Sequence, residues 1–71
     1  MQTLVFNTTD RTVKLYREIK EESQVLAHYI NVPTVKVHDG YYEVMFRTDE
    51  MQNPIPVLRV PISNTNMFIE K

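Results

Sequence analysis

His38, Glu43 and Arg47 fall within one short stretch, Thr34-Val-Lys-Val-His-Asp-Gly-Tyr-Tyr-Glu-Val-Met-Phe-Arg47, and are residue types able to cut RNA. In such a site glutamate or histidine takes the 2′-hydroxyl proton and the other protonates the leaving oxygen. Arginine, with Lys36, offsets the phosphate charge. The same residues with Tyr41 could hold single-stranded RNA uncut, the ring stacking on a base while Lys36 and Arg47 meet phosphates. A third use is protein recognition. Met45, Met51 and Met67 are adaptable side chains, and methionine and aromatics are enriched where proteins meet. The plain alternative is a solvated sheet face with Lys36 and Glu43 as a cross-strand ion pair. Catalysis is the weakest reading, because acid–base work needs converging groups and a row along a strand pair does not converge.

What would place these side chains together is the Asp39-Gly40 pair, which predicts a two-residue β-hairpin turn between alternating strands. Such a turn sets the register. His38 should pair with Tyr41, Val37 with Tyr42, Lys36 with Glu43, Val35 with Val44 and Thr34 with Met45. One face then carries Val35, Val37, Tyr42, Val44 and Phe46. The other carries Lys36, His38, Tyr41, Glu43, Met45 and Arg47, the candidate partner-binding residues.

The rest of the chain supplies the elements around this hairpin. Gln2 to Phe6 reads as a short strand, and Asn7-Thr-Thr-Asp10 suits a turn or a helix N-cap. From about Asp10 to Asn31 the preferred reading is a helix: Leu15, Ile19, Glu22/Ser23, Leu26 and Ile30 form a stripe, widened by Tyr16 and Tyr29. The other reading makes Thr12 to Tyr16 a strand hairpinned to the first, with the helix starting near Arg17. Val13, which falls off the helical stripe, favours it. Ile55 to Ile62 is a strand whose Pro56 and Pro61 cannot donate to a ladder, which suits an edge. Ser63 to Asn66 is a turn, and Met67 to Ile69 a last short strand. The expected fold class is therefore α+β: one helix on one face of a small, mostly antiparallel sheet, in the order β-α-β-β-β, with an extra N-terminal hairpin strand as the variant. The stripe should pack on the apolar hairpin face together with Leu4, Phe6, Leu58 and Val60, leaving the Lys36/Tyr41/Arg47 face uncovered.

Length and composition limit the functions. With 71 residues the chain has room for one domain and one small core, and no cysteine staples it. Eight basic residues against nine acidic ones leave no net field toward nucleic acid or a membrane surface. Missing cysteines and the lack of a basic-then-apolar leader suit an intracellular, cytoplasmic protein. The apolar runs are too short to span a membrane. No cofactor or metal site is expected: His28 and His38 have no companion at ligand spacing, Asp49-Glu50 lacks the pattern of a calcium loop, and Ser23 and Ser63 lack an elbow motif. Arg11, Lys14, Arg17 and Lys20 would make a basic ridge on the helix or, more plainly, an exposed face with Lys14–Glu18 and Arg17–Glu21 pairs.

Tiny, cysteine-free, with one helix on a small sheet and no catalytic signature, the chain resembles the small accessory proteins that large tailed bacteriophages make early in infection. The resemblance spans the whole chain and no particular residue carries it. It implies a factor that binds and redirects a host protein or RNA in the host cytoplasm. The functional expectation is a non-enzymatic interaction protein, an inhibitor or modulator acting through the open sheet face on a protein partner. The alternative is an RNA-binding or RNA-processing factor using Lys36, His38, Tyr41 and Arg47. Self-association through an edge strand is the further expectation.

Overall fold

Among the described residues between Asp10 and Asn31 the chain forms strands, and the expected helix is absent. Val13 and Leu15 alternate with Thr12, Lys14 and Tyr16, which is strand periodicity in β-branched and aromatic residues. The computed structural model describes residues 1–19 and 22–71, the Ile19 side chain apart. The described residues form seven strands: β1 (Gln2–Asn7), β2 (Thr12–Ile19), β3 (Glu22–Tyr29), β4 (Val35–Val37), β5 (Tyr41–Phe46), β6 (Ile55–Pro61) and β7 (Thr65–Glu70). A single 3₁₀ turn, Ile62–Asn64, links the last two. The α+β expectation is thereby corrected to a nearly all-β fold, in both its long-helix and its short-helix versions. The reason lies in burial. Val13, off the helical stripe, is fully buried, whereas the stripe residues Leu26 and Ile30 are 38% and 58% exposed. A helix would have exchanged the first for the other two.

The strands form two sheets, ordered β3-β2-β1-β7 and β4-β5-β6. In the first, β1 and β2 are antiparallel with Leu4 opposite Leu15 and Phe6 opposite Val13. The first and last strands, β1 and β7, run parallel, with Leu4 opposite Met67. The β1–β2 turn is built by Asn7, whose Oδ1 accepts the Thr9 and Asp10 amides at 3.0 and 2.9 Å. Thr8 ties that turn to β7 through its amide and hydroxyl, both donating to the Glu70 carbonyl.

One apolar cluster lies between the sheets. Leu4, Phe6, Val13 and Leu15 come from the four-stranded sheet, Val44 and Val60 from the three-stranded one, and Val32 from the β3–β4 connection. The second layer that covers the hairpin's apolar face is thus a sheet, a sandwich solution to the burial that a helix was expected to supply. Val35, Tyr42 and Leu58 pack against the cluster as expected, while Val37 is 66% exposed. Beyond Arg17, β2 has no β1 partner, so its end and the start of β3 continue as a two-stranded ribbon.

The basic ridge does not form. Residues three apart on a strand face opposite sides, which separates Lys14 from Arg17 and from Arg11 in the turn. Lys14 and Glu18 share a face but stand about 13 Å apart along it. Lys20 and the Arg17–Glu21 pair lie outside the described residues. Among the described residues no helix is long and apolar enough to cross a membrane.

Candidate functional site

The hairpin expected from Asp39-Gly40 forms in the expected register. Val35, Lys36 and Val37 pair with Val44, Glu43 and Tyr42. The His38 amide donates to the Tyr41 carbonyl at 2.9 Å, and the Met45 amide to Thr34 at 3.2 Å. Gly40 takes φ +90°, the region its turn requires. Its carbonyl accepts the Ile62 amide at 3.0 Å, locking the turn to the start of the 3₁₀ segment.

Glu43 lies at the centre of the outward face, on the middle strand of its sheet, between Lys36 of β4 and Arg59 of β6. Although it points away from the core, the residue is only 6% exposed. A buried carboxylate must be hydrogen-bonded or it neutralises. Here both oxygens are engaged: Arg59 Nε donates to Oε2 at 2.7 Å and His38 Nε2 to Oε1 at 3.0 Å. These two bonds, Arg59's first and His38's second, hold the Glu43 carboxyl below the usual carboxylate range against a smaller opposing push from burial. The same bond raises Arg59 above its ordinary value. A carboxylate only accepts, so His38 carries its proton on Nε2, and Nδ1 is the nitrogen left over.

Tyr41 closes the cluster. Its ring stacks on His38 with centroids 4.6 Å apart and planes at 22°, and the Arg59 guanidinium carbon lies 5.7 Å from its centroid. The ring already has a histidine on it, so it is not the bare stacking platform that base recognition requires.

The six expected site residues are not one open row. His38, Tyr41 and Glu43 come together, whereas Lys36 is exposed in register with Glu43, whose oxygens go to Arg59 and His38 instead. Met45 is 4% exposed, which removes it from any contact surface. Arg47 leaves the cluster, because it stands just past the end of β5 and its amide donates to the Asn31 carbonyl at 3.0 Å. Arg59 is the member that sequence reading missed. Its signal was its place between Leu58 and Val60, which face the core and so turn it outward.

The cluster is a poor acid–base device. A carboxylate with a lowered pKa and both oxygens occupied is a weak base, and one of the two histidine nitrogens is already committed. It is a good positioning device, since Glu43 fixes a guanidinium and an imidazole that are themselves partly exposed. Among the described residues no three histidine or carboxylate side chains gather as a metal site. Compared with protein-family models, with curated proteins and with solved structures, the chain matches none.

Proposed function

We propose that the protein is a non-enzymatic interaction protein, an inhibitor or modulator. Its outward β4–β5–β6 face would capture a carboxylate on a protein partner through Arg59 and His38. The observation that carries this reading is the burial of Glu43 with both oxygens committed. A carboxylate taken out of water to hold two donors at the surface favours recognition of an anionic group over catalysis. Arg59 spends only Nε on Glu43, and its side chain is 63% exposed, so the terminal nitrogens form the fork that suits a carboxylate. Exposed Pro56 and Pro61, paired with the outward residues Met45 and Tyr41, add apolar contact at the two ends of that face. The histidine stacked on Tyr41 and the near-zero net charge support a protein partner over RNA. On the early-phage resemblance, the partner is a host protein.

Affinity capture from host extract, with and without nuclease, tests the reading. The expected result is a protein retained through nuclease treatment and by a Gln52→Ala control, and lost with Arg59→Ala. Capture that disappears with nuclease would assign the face to RNA. Capture that survives Arg59→Ala would overturn the assignment of the face.

A further inference from the structure

Arg11 and Arg47, far apart in sequence, meet where the β1–β2 turn, the β3–β4 connection and the end of β5 come together. With Asn31, Pro33, Thr48 and Asp49 they line a cavity of about 230 Å³. Three segments frame it and two long-range backbone bonds knit them. Val32 N–H donates to the Arg11 carbonyl at 2.9 Å, and Arg47 N–H to the Asn31 carbonyl at 3.0 Å. Val32, between the two bonds, is fully buried in the core. The frame is therefore anchored to the sandwich and is not a loose loop cluster.

Both Arg11 and Asn31 take φ +57°. Asparagine adopts that region readily, whereas arginine does so at a cost. Arg11 closes the four-residue β1–β2 turn, where hairpin geometry accounts for its φ, whereas nothing in that turn requires Arg11 and Arg47 to line one concavity. Among the described residues both ion pairs belong to Glu43, so Asp49 is in direct contact with neither arginine's charge. Two arginines in one concavity suit a ligand that brings two negative oxygens.

We propose that this cavity binds a phosphate monoester dianion. Arg11 and Arg47 meet its oxygens, and the Asn31 amide and Thr48 hydroxyl act as neutral donors. Guanidinium forks match paired phosphate oxygens, and two of them balance a dianion. The volume corresponds to roughly eight waters. That exceeds one phosphate and leaves room for a small organic group. Asp49 suits a hydroxyl or amine on that group and disfavours longer polyphosphates by repulsion.

The test is an amide-resolved NMR titration of the full chain at constant ionic strength, with inorganic phosphate and phenyl phosphate as separate probes. Saturable shifts are expected at Arg11, Asn31, Arg47, Thr48 and Asp49, with phenyl phosphate the tighter ligand. Arg11→Gln and Arg47→Gln should each weaken binding at least tenfold, while Asp49→Asn strengthens it. The spectra themselves report whether each variant is folded. Glu43→Gln should leave the titration unchanged, which separates this site from the partner-binding face. Shifts that do not saturate, or that persist in both arginine variants, would overturn the proposal. So would a single-stranded RNA that moves the same amides more tightly than phenyl phosphate.

Discussion

Replacing Gly40 by alanine should destabilise the protein through the backbone alone. A Cβ built at Gly40 would meet nothing within 4 Å, so no clash contributes. What remains is φ +90°, which an L-residue adopts at a cost of about 1–2 kcal/mol. For a domain of this size each kcal/mol moves the melting midpoint by about 4–8 °C, so the expected loss is roughly 5–15 °C. D-alanine provides the matched comparison, since the chain is short enough for chemical synthesis. A D-residue prefers positive φ and restricts the unfolded chain, which should raise stability by about 0.4–1 kcal/mol. Thermal unfolding followed by circular dichroism reads both variants. The Ile62 amide, bonded to the Gly40 carbonyl, should keep its exchange protection in the D-variant. Opposite shifts for the two enantiomers are the expected result. Equal shifts in one direction would show that the surroundings, and not the dihedral, decide the tolerance, and the argument from φ would be wrong.

Acid should unfold the protein partly through Glu43. Its folded pKa lies below the ordinary 4.5, so its stabilising contribution is complete above that value and is lost as pH falls through the folded pKa. In Glu43→Gln that part of the acid limb should flatten, as measured by denaturant midpoints across pH 2 to 6. An unchanged acid limb would show that the carboxylate is not held as described. Val13→Ala removes two fully buried methyl groups and should cost about 2 kcal/mol, whereas Leu26→Ala, on a partly exposed side chain, should cost clearly less. The reverse order in urea titration would restore the helical reading of this segment.

The central hairpin was legible residue by residue because its information is local. Asp39-Gly40 names the turn, and the strand period of two places each side chain on a face. Residues 10–31 were misread because both periods are written there. Leu15, Leu26 and Ile30 satisfy a helix, Val13 and Leu15 a strand, and no glycine or proline marks a reversal. Only the second sheet decides between them, by covering Val13, whose own sheet is completed by pairing the first strand with the last. Such long-range pairing leaves no local trace. The site was half legible for the same reason. His38, Tyr41 and Glu43 belong to one hairpin, but Arg59 reaches Glu43 through the β5–β6 pairing, and Arg47 is drawn away by a backbone bond to Asn31.

That β5–β6 pairing also explains a feature that strand alternation alone gets wrong. By simple parity Pro56 and Pro61 face opposite ways and would remove donors from both sides of β6. The register instead slips between Val44 and Met45: Leu58 lies opposite Val44, Pro56 lies opposite Met45, and Val57 is the extra residue. One inserted residue resets the alternation, as a bulge does. Both prolines therefore fall opposite outward residues, Met45 at one end and Tyr41 at the other. Leu58 and Val60 keep the core, and Arg59 between them reaches Glu43. Prolines and a bulge on an edge strand also discourage pairing with another chain along its length. The outward face of this sheet is thus marked at both ends by residues that resist strand addition. A partner would meet it through the Arg59 and His38 side chains at its middle rather than through backbone hydrogen bonds along its edge.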